Sequence, residues 1–133
     1  MSILDINLND VEELKILPDN DEVELRIMRA EIVPNKKDPS RNNLAIVFDV
    51  PDEPMADDIR VWLPIPTEEQ KELDPKLYTK AMTRLTSFLK AFSVELPIDT
   101  EDMLTLRGWG ILSETEGLDG TPQNSVRRYI IPR

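Results

Sequence analysis

Apolar and polar residues alternate in five stretches of the chain and fall into a helical period in one. Val23, Leu25 and Ile27 alternate with polar neighbours; the phase then slips by one, and Met28, Ala30 and Ile32 carry the apolar face. Side chains on a strand repeat every two residues, so such a slip turns the strand over unless a β-bulge absorbs an extra residue. The pattern predicts a long, bulged, curved first strand over Val23–Val33, with two short kinked strands as the alternative. "NNLAIVFDV" follows, with Leu44, Ile46, Phe48 and Val50 on one face and Ala45 and Val47 on the other. "IRVWLPIP" is a third strand closed by prolines. Thr67-Glu68-Glu69-Gln70 has capping-box spacing and predicts a short helix. From Leu77 to Phe92 the period is helical, with Leu77, Ala81, Leu85, Phe88, Leu89 and Phe92 in one stripe. "MLTLRGWGIL" and "SVRRYII" predict two more strands, joined by a long polar loop, "SETEGLDGTPQN".

The predicted fold class is therefore mainly β with one helix. Five strands with a helix between the third and fourth is the element order of an OB-fold, a partly open Greek-key barrel that binds oligonucleotides or oligosaccharides over its second and third strands and adjoining loops. The expected organisation is an acidic N-terminal lead over 1–21 and one OB-fold-like domain over 22–133. The lead, "ILDINLNDVEELKIL", reads as a short helix or as an extended arm.

Composition narrows the chemistry. The 133 residues include no cysteine and no histidine, which excludes disulfides, the common zinc sites and His-based triads. No apolar run approaches the ~18 residues of a membrane span, and the first residues do not form a secretory signal. The expectation is a cytoplasmic protein with no membrane partner. Net charge is −10, and it is unevenly spread: residues 1–24 hold eight acids against Lys15 alone. The basic residues Lys36, Lys37 and Arg41 nevertheless gather in the loop between the first two strands.

Six of the seven aromatic residues divide into two sets, and Tyr78 sits beside the helical stripe. Phe48, Phe88 and Phe92 follow the apolar phases and read as core. The other set repeats a pairing: Arg60 with Trp62, Arg107 with Trp109, Arg127 with Tyr129. Residues i and i+2 share a strand face, so each aromatic stands beside an arginine. In the third strand Ile59, Val61 and Leu63 mark the inside and leave Arg60 and Trp62 outside. In the fourth, Leu104 and Leu106 mark the inside and Arg107 and Trp109 the outside. In the fifth, Val126, Arg128 and Ile130 compete with Arg127, Tyr129 and Ile131. Aromatic platforms interleaved with cations suit sequence-tolerant single-strand binding, in which bases stack on rings while Lys and Arg follow the phosphates. The competing reading has both tryptophans covered by the lead, the helix or a dimer partner.

An enzyme finds little support. Asp57, Asp58 and Glu69-x-Lys71 superficially match a metal-dependent nuclease, but that chemistry needs Glu-x-Lys on a strand beside the aspartate, and here it opens a helix. No glycine-rich phosphate loop is present. Neither catalytic residues, nor a metal site, nor a cofactor is expected.

The run "ILPDNDEVELRIMRAEIVPNKKDPSRNNLAIVFDV", with "AMTRLTSFLKAFSVELP" and "LRGWGIL", resembles the small phage-encoded OB-fold proteins of replication and recombination modules, over residues 16–131. Two features depart from that pattern: Asn20-Asp21-Glu22-Val23 stand where relatives often carry Gly and an aromatic, and the chain ends "RRYIIPR" rather than in an acidic tail. The resemblance implies single-stranded DNA as ligand, host-cell cytoplasm as location, and a homodimer or replication and recombination proteins as further partners. The alternative is an OB-fold adapter or oligomerisation module using the same aromatic face for protein.

Overall fold

A computed structural model describes residues 2–5 and 13–132. Positions 1, 6–12 and 133 lie outside the described residues, and with them Asp10 and Glu12 of the acidic lead. The described chain is mainly β, with five antiparallel strands in one sheet and one main helix. The strands are β1 (Glu22–Pro34), β2 (Asn42–Asp49), β3 (Ile59–Pro64), β4 (Arg107–Glu116) and β5 (Pro122–Ile130), in sheet order β3-β2-β1-β4-β5. Two helices, α1 (Glu68–Leu73) and α2 (Pro75–Ala91), lie between β3 and β4. The edge strands β3 and β5 approach within 8 Å, Cα to Cα.

The phase slip in β1 is a bulge. Ile27 pairs with Phe48 and Arg29 with Val47, so Met28 is the extra residue. Before it Val23, Leu25 and Ile27 are buried; after it Ala30 packs on the core, while Arg29 and Glu31 face outward. The bulge also marks where β1 changes partners. Glu22 to Arg26 pair with β4, and Ile27 exchanges backbone bonds with Thr105 and Leu106 (2.8 and 2.9 Å). Beyond that β1 pairs with β2 alone. Thr105 turns the chain into β4 at φ 72°, a conformation costly for a side chain with a Cβ, and the bond from its N–H to Ile27 helps to hold it.

β2 and β3 alternate as their sequences require, with Leu44, Ile46, Phe48, Ile59, Val61 and Leu63 buried. Thr67 caps α1 by accepting from the Gln70 N–H at 3.1 Å. Asp74 ends α1 and caps α2, accepting from the Leu77 N–H at 3.2 Å, with Pro75 at the first helical position. Ala81, Leu85, Phe88 and Phe92 of the predicted stripe are buried, whereas Leu77 is exposed because the first turn of α2 overhangs the core. Phe88 and Phe92 meet Phe48 of β2 and Tyr129 of β5 in a four-ring cluster, with centroids 5.0–6.3 Å apart.

Two boundaries differ from expectation. Thr100–Met103 is a 3-10 turn capped by Asp99, so β4 begins only at Arg107 and Leu104 is exposed. The inside of β4 is instead Gly108, Gly110 and Leu112. A Cβ at Gly108 would meet the Ala91 carbonyl oxygen at 2.8 Å and the Phe92 ring at 2.9 Å, so glycine is what lets the end of α2 lie against the sheet. The long polar loop is mostly strand: β4 and β5 stay paired out to Glu116 and Pro122. Both faces of that hairpin are largely wet, so pairing there needs no apolar alternation. Only residues 117–121 turn, with Gly120 at φ 81°.

Part of the lead is extended and stapled to the sheet. Leu17 is buried in the core. Asn124 accepts from its N–H at 2.8 Å and donates to its carbonyl at 3.0 Å. Lys15 bridges to Ala56, and Asn20 and Asp21 exchange backbone bonds with Leu112.

Two stability effects are expected. Gly108→Ala should lower unfolding free energy by roughly 1–3 kcal/mol through overpacking against α2, read as a lower urea midpoint by far-UV circular dichroism at unchanged slope. Asn124→Ala leaves the Leu17 N–H and C=O without their partner and should cost about 1–3 kcal/mol, with faster hydrogen exchange at the Leu17 amide as its local signature.

Candidate nucleic-acid interface

The outward face of β1, β2 and β3 is built by alternation and by the bulge. Two rungs cross it: Arg29–Val47–Arg60 and Glu31–Ala45–Trp62. Small residues on the central strand leave a shallow trough of about 170 Å³ between the flanking side chains. Trp62 is 57% exposed. Arg29 and Arg60 are exposed and have no ion-pair partner among the described residues. Glu31 is the acid of the trough lining.

The loop between β1 and β2 adjoins the same end of the sheet, because Pro34 pairs with Asn42 and Asn43 with Pro64. The loop is ordered from within. Asn35 Oδ1 accepts from the Lys37 N–H at 2.8 Å, and Asp38 accepts from the Ser40 hydroxyl at 2.6 Å and backbone N–H at 3.2 Å. Those bonds, with Arg41 beside it, hold the Asp38 carboxyl below its usual range. Arg41 pairs with Asp38 at 3.2 Å. Lys36 and Lys37 are exposed, with no ion-pair partner among the described residues.

The remaining candidates are placed elsewhere. Trp109 is 45% exposed on the outer face of β4, as its strand phase predicts, but its cross-strand neighbours are Glu24 and Ile130. It lies three strands across and seven residues along β1 from the Trp62 rung, roughly 25 Å over the sheet surface. The two tryptophans do not form one platform. Arg107 beside it pairs with Glu24 at 3.1 Å, and one rung away Arg26 pairs with Asp49.

Tyr129 requires a correction: it is buried in the aromatic cluster rather than displayed beside an arginine. A second bulge is the reason. Ile111 pairs with Arg128 and Leu112 with Val126, which makes Arg127 the extra residue. Both competing phases in β5 are therefore real, one on each side of the bulge, with Val126 and Tyr129 inward. Burial pushes the Tyr129 phenol pKa upward. Arg127 pairs with Asp19 at 3.0 Å.

No family model matches the chain, and no curated protein matches it in sequence.

Arg29 is the residue the sequence reading missed. The signal was present in the slip at Met28, which, read as a bulge, sends Arg29 to the face that carries Arg60. The nuclease-like residues do not converge: Glu69 and Lys71 ride on α1, and Asp57 and Asp58 lie in the loop before β3. Among the described residues no group of three or more acids could hold a metal ion, and no helix is long and apolar enough to cross a membrane. The cations of α2, Lys76, Lys80, Arg84 and Lys90, are exposed.

The ion pair of Arg127 has a pH signature. The Glu114 backbone N–H, at 2.9 Å, and then Arg127 hold the Asp19 carboxyl below its ordinary 3.8. A lowered folded-state pKa gives stability that is present above the unfolded value and is lost as pH falls through the folded one. The stability difference between wild type and Asp19→Ala should be constant above about pH 5 and shrink below about pH 4, measured by thermal melts across that range.

Proposed function

We propose that this chain is an OB-fold-like barrel that binds single-stranded DNA without reading sequence, as a noncatalytic component of phage DNA replication or recombination. The strand order β3-β2-β1-β4-β5, with β3 and β5 approaching and a helix between β3 and β4, is compatible with a Greek-key barrel of that class. The observation that carries the ligand is Trp62, exposed on β3, flanked by Arg60 and facing Arg29 across a floor of Ala45 and Val47. A base stacks on the indole while the guanidiniums and the adjoining Lys36 and Lys37 take phosphates. Stacking on a ring and phosphate contact do not depend on base identity, so this mode of binding is tolerant of sequence.

On this reading the candidate contacts are weighted by their exposure and by their ion pairs. Arg60, Trp62, Lys36 and Lys37 form the contact set with Arg29 added. Arg41, Arg107 and Arg127 are engaged with acids and contribute less. Trp109, beside Ile111 and Ile130 and across from Glu24, has apolar and acidic surroundings that suit protein contact better than phosphate. That favours a second, adapter-like use of the β4 face.

The test is tryptophan fluorescence titrated with poly-dT. Quenching should weaken with salt at a log–log slope of about −3 for four cationic contacts, roughly a fifty-fold loss between 50 and 200 mM. Read by the anisotropy of a fluorescein-labelled oligo-dT, which does not depend on the remaining tryptophan, Trp62→Ala should weaken binding by about 1–3 kcal/mol, whereas Trp109→Ala should leave it nearly unchanged. A folded protein that shows no quenching at low salt would overturn the reading. So would salt-independent binding.

A further inference from the structure

Successive outward rungs at this end of the sheet are chemically unlike. Arg29–Val47–Arg60 carries two cations two strand spacings apart, about 10 Å. Glu31–Ala45–Trp62, about 7 Å further along the strands, carries an acid and an indole. Val33–Asn43–Pro64 follows without charge and leads into the loop that holds Lys36 and Lys37. Cations thus flank the Glu31–Trp62 rung on both sides. Glu31 is exposed and forms no ion pair among the described residues. A free carboxylate inside a basic patch repels whatever phosphate lies above it. Such a charge discriminates between ligands according to what each places over it.

Resting on the single-strand reading of this face, we infer that Glu31 is the specificity residue that admits a single strand and refuses a duplex. A uniformly basic patch would favour the duplex, whose charge density is higher. A single strand can turn a base onto the Trp62 rung while its phosphates lie over Arg29 and Arg60 on one side and over Lys36 and Lys37 on the other. Glu31 then meets the edge of an uncharged base or open water. A duplex has no such freedom. Its bases are paired and stacked inside, so none reaches the indole, and phosphates line the surface it presents. Laid on this face to reach both sets of cations, it brings a phosphate over the middle rung and against the carboxylate. Trp62, 57% exposed, stands opposite Glu31 across Ala45. The group that attracts a base and the group that rejects a phosphate therefore act on the same rung.

The experiment compares, by fluorescence anisotropy at one low salt concentration, a fluorescein-labelled oligo-dT with the same strand annealed to oligo-dA. Wild type should bind the single strand more tightly. Glu31→Gln should raise the duplex association constant about fivefold and the single-strand constant about twofold or less, because only the duplex sets a phosphate against the carboxylate. Glu31→Lys should carry the change further and bring the two constants to within a few-fold of each other. Glu116→Gln removes the same charge from the far hairpin and should leave the ratio at its wild-type value. Position 31 is exposed, and circular dichroism checks the fold. Failure to bind the single strand overturns the single-strand reading and this inference together. Single-strand binding with a ratio that neither Glu31 variant moves overturns the inference alone. So does a wild type that binds both ligands equally, or a Glu116→Gln ratio that shifts as far as that of Glu31→Gln.

Discussion

The extra residue at Met28 is the constraint from which most of this architecture follows. A strand that serves two ladders in sequence must turn as it passes from one to the other, and a bulge supplies that turn within a continuous chain. Before Met28 the strand presents Leu25 and Ile27 to the core and joins β4. After it the faces exchange, Arg29 points outward, and β1 is held by β2 alone. The same residue thus decides where the sheet divides, which arginine reaches the trough and which stretch of backbone is left uncovered.

The electrostatics follow a related economy. An acidic chain displays arginines on its outer face, and most of those on the β4 side are matched: Arg26 by Asp49, Arg107 by Glu24, Arg127 by Asp19. Such exposed pairs contribute little stability individually. Their larger effect is to localise the positive field. Near the β1–β2 loop the matching is incomplete, so Arg29, Arg60, Lys36 and Lys37 carry the positive potential, while the far hairpin, with Glu114, Glu116 and Asp119, is negative. Net charge describes neither end.

The sequence made the element types legible where periodicity was strong. The faces of β2 and β3, the bulge of β1, the α1 cap and the buried stripe of α2 could all be read from residue spacing. It was less informative where spacing and environment part company. The polar stretch between Ser113 and Asn124 reads as loop because nothing apolar alternates in it, yet a wet hairpin needs only backbone pairing. Leu104 and Leu106 read as strand because they alternate, yet the Asp99 cap winds the chain before them into a turn. At the site, Arg60 and Trp62 were visible because one clean alternation fixed their face. Tyr129 was not, because two phases coexist in β5 and only three-dimensional pairing reveals the bulge between them. Ion pairs such as Arg127 with Asp19 join distant positions, which a local pattern does not encode.

The staple between Leu17 and Asn124 joins positions 107 residues apart. Contacts of such separation carry a large loop-closure entropy and form slowly compared with neighbouring hairpins. On a ribosome, β1, β2 and β3 emerge and can pair as a meander while Asn124 has yet to be made. Leu17 is thus made well before the side chain that fastens it. Until β5 arrives, the backbone groups of Leu17 depend on water for their hydrogen bonds.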